Sequence, residues 1–86
     1  MKNKKDNINI EYPRIWEYLI ITSNKDELQS NIKDKFDGLD YRFKFSKDST
    51  GGKYSSYNFS IYVVSQKERD EIFNILTNIK DVKVVI

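Results

Sequence analysis

Ser49–Val64 reads STGGKYSSYNFSIYVV, two glycines and a lysine running into a long string of aromatic and β-branched residues. From Tyr54 to Val64 the chain alternates. Tyr57, Phe59, Ile61 and Val63 fall on one side and Ser56, Asn58, Ser60 and Tyr62 on the other, the period of a strand with one face against a core. Just upstream, YRFKFSK alternates as well, with Tyr41, Phe43 and Phe45 opposed to Arg42, Lys44 and Ser46. Two alternating strands around a short glycine loop make a hairpin, in which Gly51 and Gly52 supply the positive φ of the turn. The competing reading is a phosphate cradle. A Walker-type loop requires a glycine at position 47, Ser or Thr after the Gly-Lys pair, and a helix next. This chain has Lys47 and Tyr54 at those positions, followed by a strand. What survives of the anion reading is a loop contact by Lys47, Gly51, Gly52 and Lys53.

Working outward, RIWEYLIIT carries a strand from about Ile15 to Thr22, with Trp16, Tyr18 and Ile20 on one face and Glu17, Leu19 and Ile21 on the other. Apolar residues on both faces mark a central strand. Asn24 followed by Glu27 is a helix start. Leu28, Ile32 and Phe36 then recur every four residues until Gly38 provides a left-handed stop, a helix of about twelve residues. After the hairpin, Ser65-x-x-Glu68 is a second capping box. The helix it opens is expected to bury Ile72, Phe73, Leu76 and Ile79, with Asp70 and Glu71 in its first turns, where the dipole favours acids. DVKVVI closes as a strand with Val82, Val84 and Ile86 on one face and Lys83 and Val85 on the other.

The order strand, helix, strand, strand, helix, strand, with right-handed crossovers, places both helices on one side of the sheet. The expected fold is therefore α+β, a ferredoxin-like βαββαβ sandwich with a four-stranded antiparallel sheet in the order 4-1-3-2. Tyr12-Pro13 ends the polar lead-in. We expect residues 1–13 to form a flexible tail, with Ile8 and Ile10 able to lie along the domain, and residues 14–86 to form one domain; 86 residues leave room for a single modest core.

Composition narrows the chemistry. The chain has no cysteine and no histidine, which removes disulfides, thiolate and imidazole metal ligands and the usual Cys/His and Ser/His nucleophile pairs. The acids Asp37, Asp40, Asp48, Asp70, Glu71 and Asp81 lie at helix ends and turns, where capping explains them, and no Asp-x-Asp calcium loop occurs. The reading is a non-enzyme with no metal and no cofactor. The formal charge is +2, and Lys2, Lys4 and Lys5 against Asp6 account for all of it, so the rest of the chain is balanced. A nucleic-acid binder carries its basic stripe on the folded body, and an RNA-recognition module needs aromatics on the open sheet face. Here Trp16, Tyr18, Tyr57 and Phe59 share the helix-facing parity, so nucleic acid is not the expected partner. Neither a signal peptide nor a long apolar run is present, which points to a cytoplasmic protein with no membrane association.

The open face, or an edge strand, is the candidate surface of a regulatory or protein-interaction module. Leu19, Ile21, Tyr62 and Val85 are expected to cluster there, ringed by Arg42, Lys44, Glu17 and Lys83, an apolar patch with a charged rim of the kind that receives a protein partner or a second copy.

Tyr12-Pro13, Trp16-x-Tyr18, the run Gly52-Lys53-Tyr54-x-Ser56-Tyr57-x-Phe59-x-Ile61, Ser65-x-x-Glu68 and Val82-x-Val84-Val85-Ile86 resemble the YbeD family of small bacterial proteins, from about Tyr12 to Ile86. That resemblance implies a sandwich related to ACT regulatory domains, in a family of unknown function. It also implies an alternative, sensing of an amino acid or a lipoate-related small molecule. Amino-acid-binding ACT domains carry Asp-x-x-Gly-x-Leu at the first strand-to-helix turn. The matching stretch here, Ser23-Asn24-Lys25-Asp26-Glu27-Leu28, lacks both the acid and the glycine.

Overall fold

The computed structural model describes residues 10–86. Its elements are β1 (Arg14–Thr22), α1 (Lys25–Lys35), β2 (Tyr41–Asp48), β3 (Ser55–Val63), α2 (Gln66–Thr77) and β4 (Val82–Val85). The strands pair antiparallel in the order β2-β3-β1-β4, the expected ferredoxin-like arrangement read from the other edge. The expectations placed on Ile8 and on most of the N-terminal tail lie outside the described residues. Within residues 10–13, Tyr12 packs against the core while Ile10 is exposed.

Both helix starts form as their sequences dictate. Asn24 Oδ1 accepts the N–H of Glu27 at 3.1 Å, and Ser65 Oγ accepts that of Glu68 at 3.1 Å. Glu68 reaches back to the N–H of Val64 at 2.9 Å, one residue before the cap. Glu27 does not reach back; its carboxylate takes the Asn31 amide at 2.8 Å instead. Gly38 ends α1 at φ +79°. In the hairpin loop Gly51 and Gly52 sit at φ +89° and +73°, the left-handed region that glycine enters without a Cβ clash.

The core lies between the helices and one sheet face. Tyr18 and Ile20 of β1 and Tyr57, Phe59, Ile61 and Val63 of β3 meet Leu28, Ile32 and Phe36 from α1 and its end, and Ile72, Leu76 and Ile79 from α2 and the turn after it. Phe59 is the hub: its ring centre lies 4.9 Å from that of Phe36 and 5.6 Å from that of Tyr41, while Phe43 stacks on Tyr57 at 4.7 Å. Trp16 shares this face and lies between two guanidinium groups, those of Arg14 at 5.3 Å and Arg69 at 4.5 Å. One expected core residue is not there. Phe73 is 39% exposed, because it stands about 100° around the helix from Ile72, off the stripe that Ile72 and Leu76 turn to the sheet.

Two irregularities break the alternation. Between β2 and β3 the register shifts from Phe45↔Tyr57 to Lys47↔Ser56, so Ser46 is an extra residue. Between β1 and β4 it shifts from Thr22↔Val82 to Ile21↔Val84, so Lys83 is extra. Such bulges invert the facing of every residue beyond them.

Candidate partner-binding face

Cross-strand partners share a face, so the register lays out the open side row by row. One row runs Lys47, Ser56, Ile21, Val84. The next runs Lys44, Asn58, Leu19 and Ile86, the last pair joined by reciprocal hydrogen bonds of 3.0 and 2.9 Å. Then come Arg42, Ser60, Glu17 and finally Tyr62 beside Ile15.

The face differs from its sequence-based outline in three places, all traceable to pairing. Val85 does not lie on it. Opposite the fully buried Ile20, Val85 packs against the helix-side core, and Val84 and Ile86 take the open side at 43% and 72% exposure. The Lys83 bulge is the cause, because one inserted residue exchanges the two faces of β4. Lys47, which simple alternation sends inward, stands on the open face beyond the Ser46 bulge, beside Ile21 and Ser56. Tyr62 is exposed as expected, but it pairs with Ile15 at the far end of the sheet, several rows from Ile21. The result is a surface divided lengthwise. Arg42, Lys44 and Lys47 line the β2 side, small polar residues of β3 follow, and Leu19, Ile21, Val84 and Ile86 form the β1–β4 side, with Lys83 exposed at the β4 edge. Glu17 is the one acid among the strand residues of this face.

The glycine loop is closed by its own hydrogen bonds: Ser49 N–H to Tyr54 O at 2.8 Å, Gly52 N–H to Ser49 O at 2.8 Å, and Tyr54 N–H to Ser49 Oγ at 3.0 Å. Lys53 lies over the Tyr54 ring, 5.4 Å from its centre, while Lys47 points to the open face. The first strand-to-helix turn is likewise tied internally. Thr22 Oγ1 accepts the Asn24 N–H at 3.0 Å and donates to the Asp81 carbonyl at 3.1 Å; Ser23 N–H reaches the same carbonyl at 3.1 Å, and the Asn24 amide meets the Asp81 carboxylate at 3.3 Å. Asp81 holds a left-handed φ of +67° at this junction.

Among the described residues two titrating groups are displaced, one by burial and one by hydrogen bonding. Burial pushes the Tyr18 phenol up to about 12, and its hydroxyl donates to the Arg69 carbonyl at 2.7 Å. The hydrogen bond from Ser55, aided by Lys25, holds the Asp48 carboxyl below its ordinary value. Among the described residues no group of three or more acids is close enough to hold a metal ion, and no helix is long and apolar enough to cross a membrane.

The proteins that this chain resembles in sequence are uncharacterized. The chain is similar to the solution structure of HP0495 from Helicobacter pylori, with a TM-score of 0.82 at 26% identity over 100% of this chain and 94% of that one. A second solution structure of HP0495 gives 0.69 at 27% identity, over 99% and 96%. In sequence it is 35% identical over 65 residues to the uncharacterized protein Cj0253 of Campylobacter jejuni, covering 76% of this chain and 75% of that protein. It is 33% identical over 75 residues to an uncharacterized H. pylori protein, 85% of each. A model of the family described as "Protein of unknown function (DUF493)" matches residues 8–86, the family to which the YbeD proteins belong, and the chain is therefore a member of DUF493.

Proposed function

We propose that this chain is a protein-interaction module without chemistry of its own, and that its open sheet face docks an acidic, apolar-faced segment of another protein. The observation that carries this is the sorting of charge. The chain beyond its first residues is balanced overall, yet the open face collects Arg42, Lys44 and Lys47 against Glu17, alongside exposed Val84 and Ile86. Balanced charge needs no such segregation for solubility. Basic groups beside an apolar strip favour a partner that offers carboxylates on one side and aliphatic groups on the other. Three strands of eight or nine residues and a fourth of four, about 4.8 Å apart and rising about 3.3 Å per residue, present on the order of 500 Å², the scale of a transient protein contact.

A second copy is a poorer occupant, since stacking two such faces brings two basic rows into one interface. Affinity capture with the wild-type chain and with the double variant Lys44→Glu, Lys47→Glu tests the proposal. A partner held by wild type, released by salt and lost by the variant is expected. An identical set of captured proteins refutes the proposal, and a wild-type dimer that Ile21→Lys converts to monomer replaces the foreign partner with a second copy.

A further inference from the structure

On the opposite side of the molecule, α1 and α2 leave a cleft of about 390 Å³ above the end of β3. Its floor is Phe36, Ile61 and Ile72, all buried. Its walls carry Leu39, Val64 and Ile75, which are 57%, 56% and 39% exposed. Three large aliphatic side chains left open to water in one concavity form a contiguous apolar surface, unlike isolated exposed residues. The rim is acidic: Asp40, Glu68 and Glu71 stand against Lys35 alone. The cap hydrogen bond to Val64 fixes the Glu68 carboxylate at the lip.

We infer that this cleft is a second docking site, and that its occupant is an amphipathic helix of a partner protein with an aliphatic stripe flanked by lysine or arginine. The class of occupant follows from what the walls offer. β3 runs beneath the cleft with both edges already paired, to β1 and to β2, so no backbone is free to receive an added strand. Recognition falls to side chains, and a helix presents aliphatic groups at i, i+4 and i+7 while satisfying its own backbone. The sign of its flanking charge follows from the three carboxylates. A second copy seated cleft to cleft brings two acidic rims together. The site is separate from the basic and aliphatic rows of the open sheet face and carries the opposite charge; Tyr62, at the far end of the sheet, is the one residue common to both.

The probe is a labelled synthetic helical peptide with leucine along one stripe and lysine elsewhere, paired with its twin carrying glutamate for lysine, both titrated by fluorescence anisotropy. The lysine peptide is expected to bind the wild-type chain, to weaken as salt rises, and to lose about tenfold or more in affinity with Glu71→Lys and with Ile75→Lys, both exposed positions. Circular dichroism confirms that the variants remain folded. Lys44→Glu with Lys47→Glu leaves lysine-peptide binding unchanged, which separates this site from the sheet face. Equal affinity for the two peptides, binding insensitive to Glu71→Lys, or loss of lysine-peptide binding on altering the sheet face overturns the inference. So does a wild-type dimer that Ile75→Lys dissociates, which assigns the cleft to a second copy.

Discussion

Exchanging Val84 and Val85 for aspartate, one at a time, tests the bulge that shapes the candidate face. Val85 packs on the helix-side core opposite Ile20, which is fully buried, while Val84 is 43% exposed opposite Ile21. Replacing Val85 forfeits most of a buried valine's transfer free energy, about 1.5 kcal/mol. It also sets a carboxylate among apolar side chains without a partner, which costs roughly another 1–3 kcal/mol. The expected loss is about 3 kcal/mol. Val84→Asp gives up about half as much apolar burial and leaves its carboxylate in water, so its expected loss is about 1 kcal/mol or less. For a domain of this size 1 kcal/mol corresponds to about 4–8 °C in Tm, which separates the variants by roughly 8–16 °C. Urea unfolding followed by far-ultraviolet circular dichroism measures the difference, with an unchanged slope showing that the unfolded reference is the same. Equal losses, or a larger loss at Val84, would mean that β4 alternates without a bulge, and the apolar half of the proposed face would go with it.

Two further outcomes follow from named contacts. The raised Tyr18 phenol means that the folded state keeps this proton longer than the unfolded chain does. The associated stability is therefore complete below about pH 10, the ordinary tyrosine value, and falls as pH rises through about 12. Urea titrations across that window should show wild type losing more stability than Tyr18→Phe, and parallel profiles would refute the assignment. Ser65→Ala removes the oxygen that accepts the Glu68 N–H, at an expected cost of about 1 kcal/mol that Ser65→Asp largely restores; a neutral Ser65→Ala in thermal melts would show that the cap contributes nothing.

The element order, the hairpin, both helix caps and the facing of β1 and β3 were legible in the chain because each rests on short-range rules. Alternation at Tyr57, Phe59 and Ile61, an Asn or Ser three residues before a Glu, and a glycine where φ must be positive are all visible within a few positions. The strand order followed from crossover handedness and the short loop. The candidate face was half legible: Leu19, Ile21, Arg42 and Lys44 were placed on it, while Val84, Ile86 and Lys47 were missed and Val85 was put on the wrong side.

The misplaced residues share a cause. A bulge is a mismatch of count between two strands, one residue more on β4 than on β1 at Lys83 and one more on β2 than on β3 at Ser46. Neither strand alone carries a mark of it, since KVV and FSK continue an acceptable pattern in either register. The cleft between α1 and α2 is likewise invisible along the chain. Leu39, Val64 and Ile75 belong to three separate segments and become one surface only when the helices pack on the sheet with a gap between them. Local stereochemistry chose the elements and most of their faces. The pairing partner and the packing distance chose which apolar groups remain in water, and those are the groups on which the proposed binding rests.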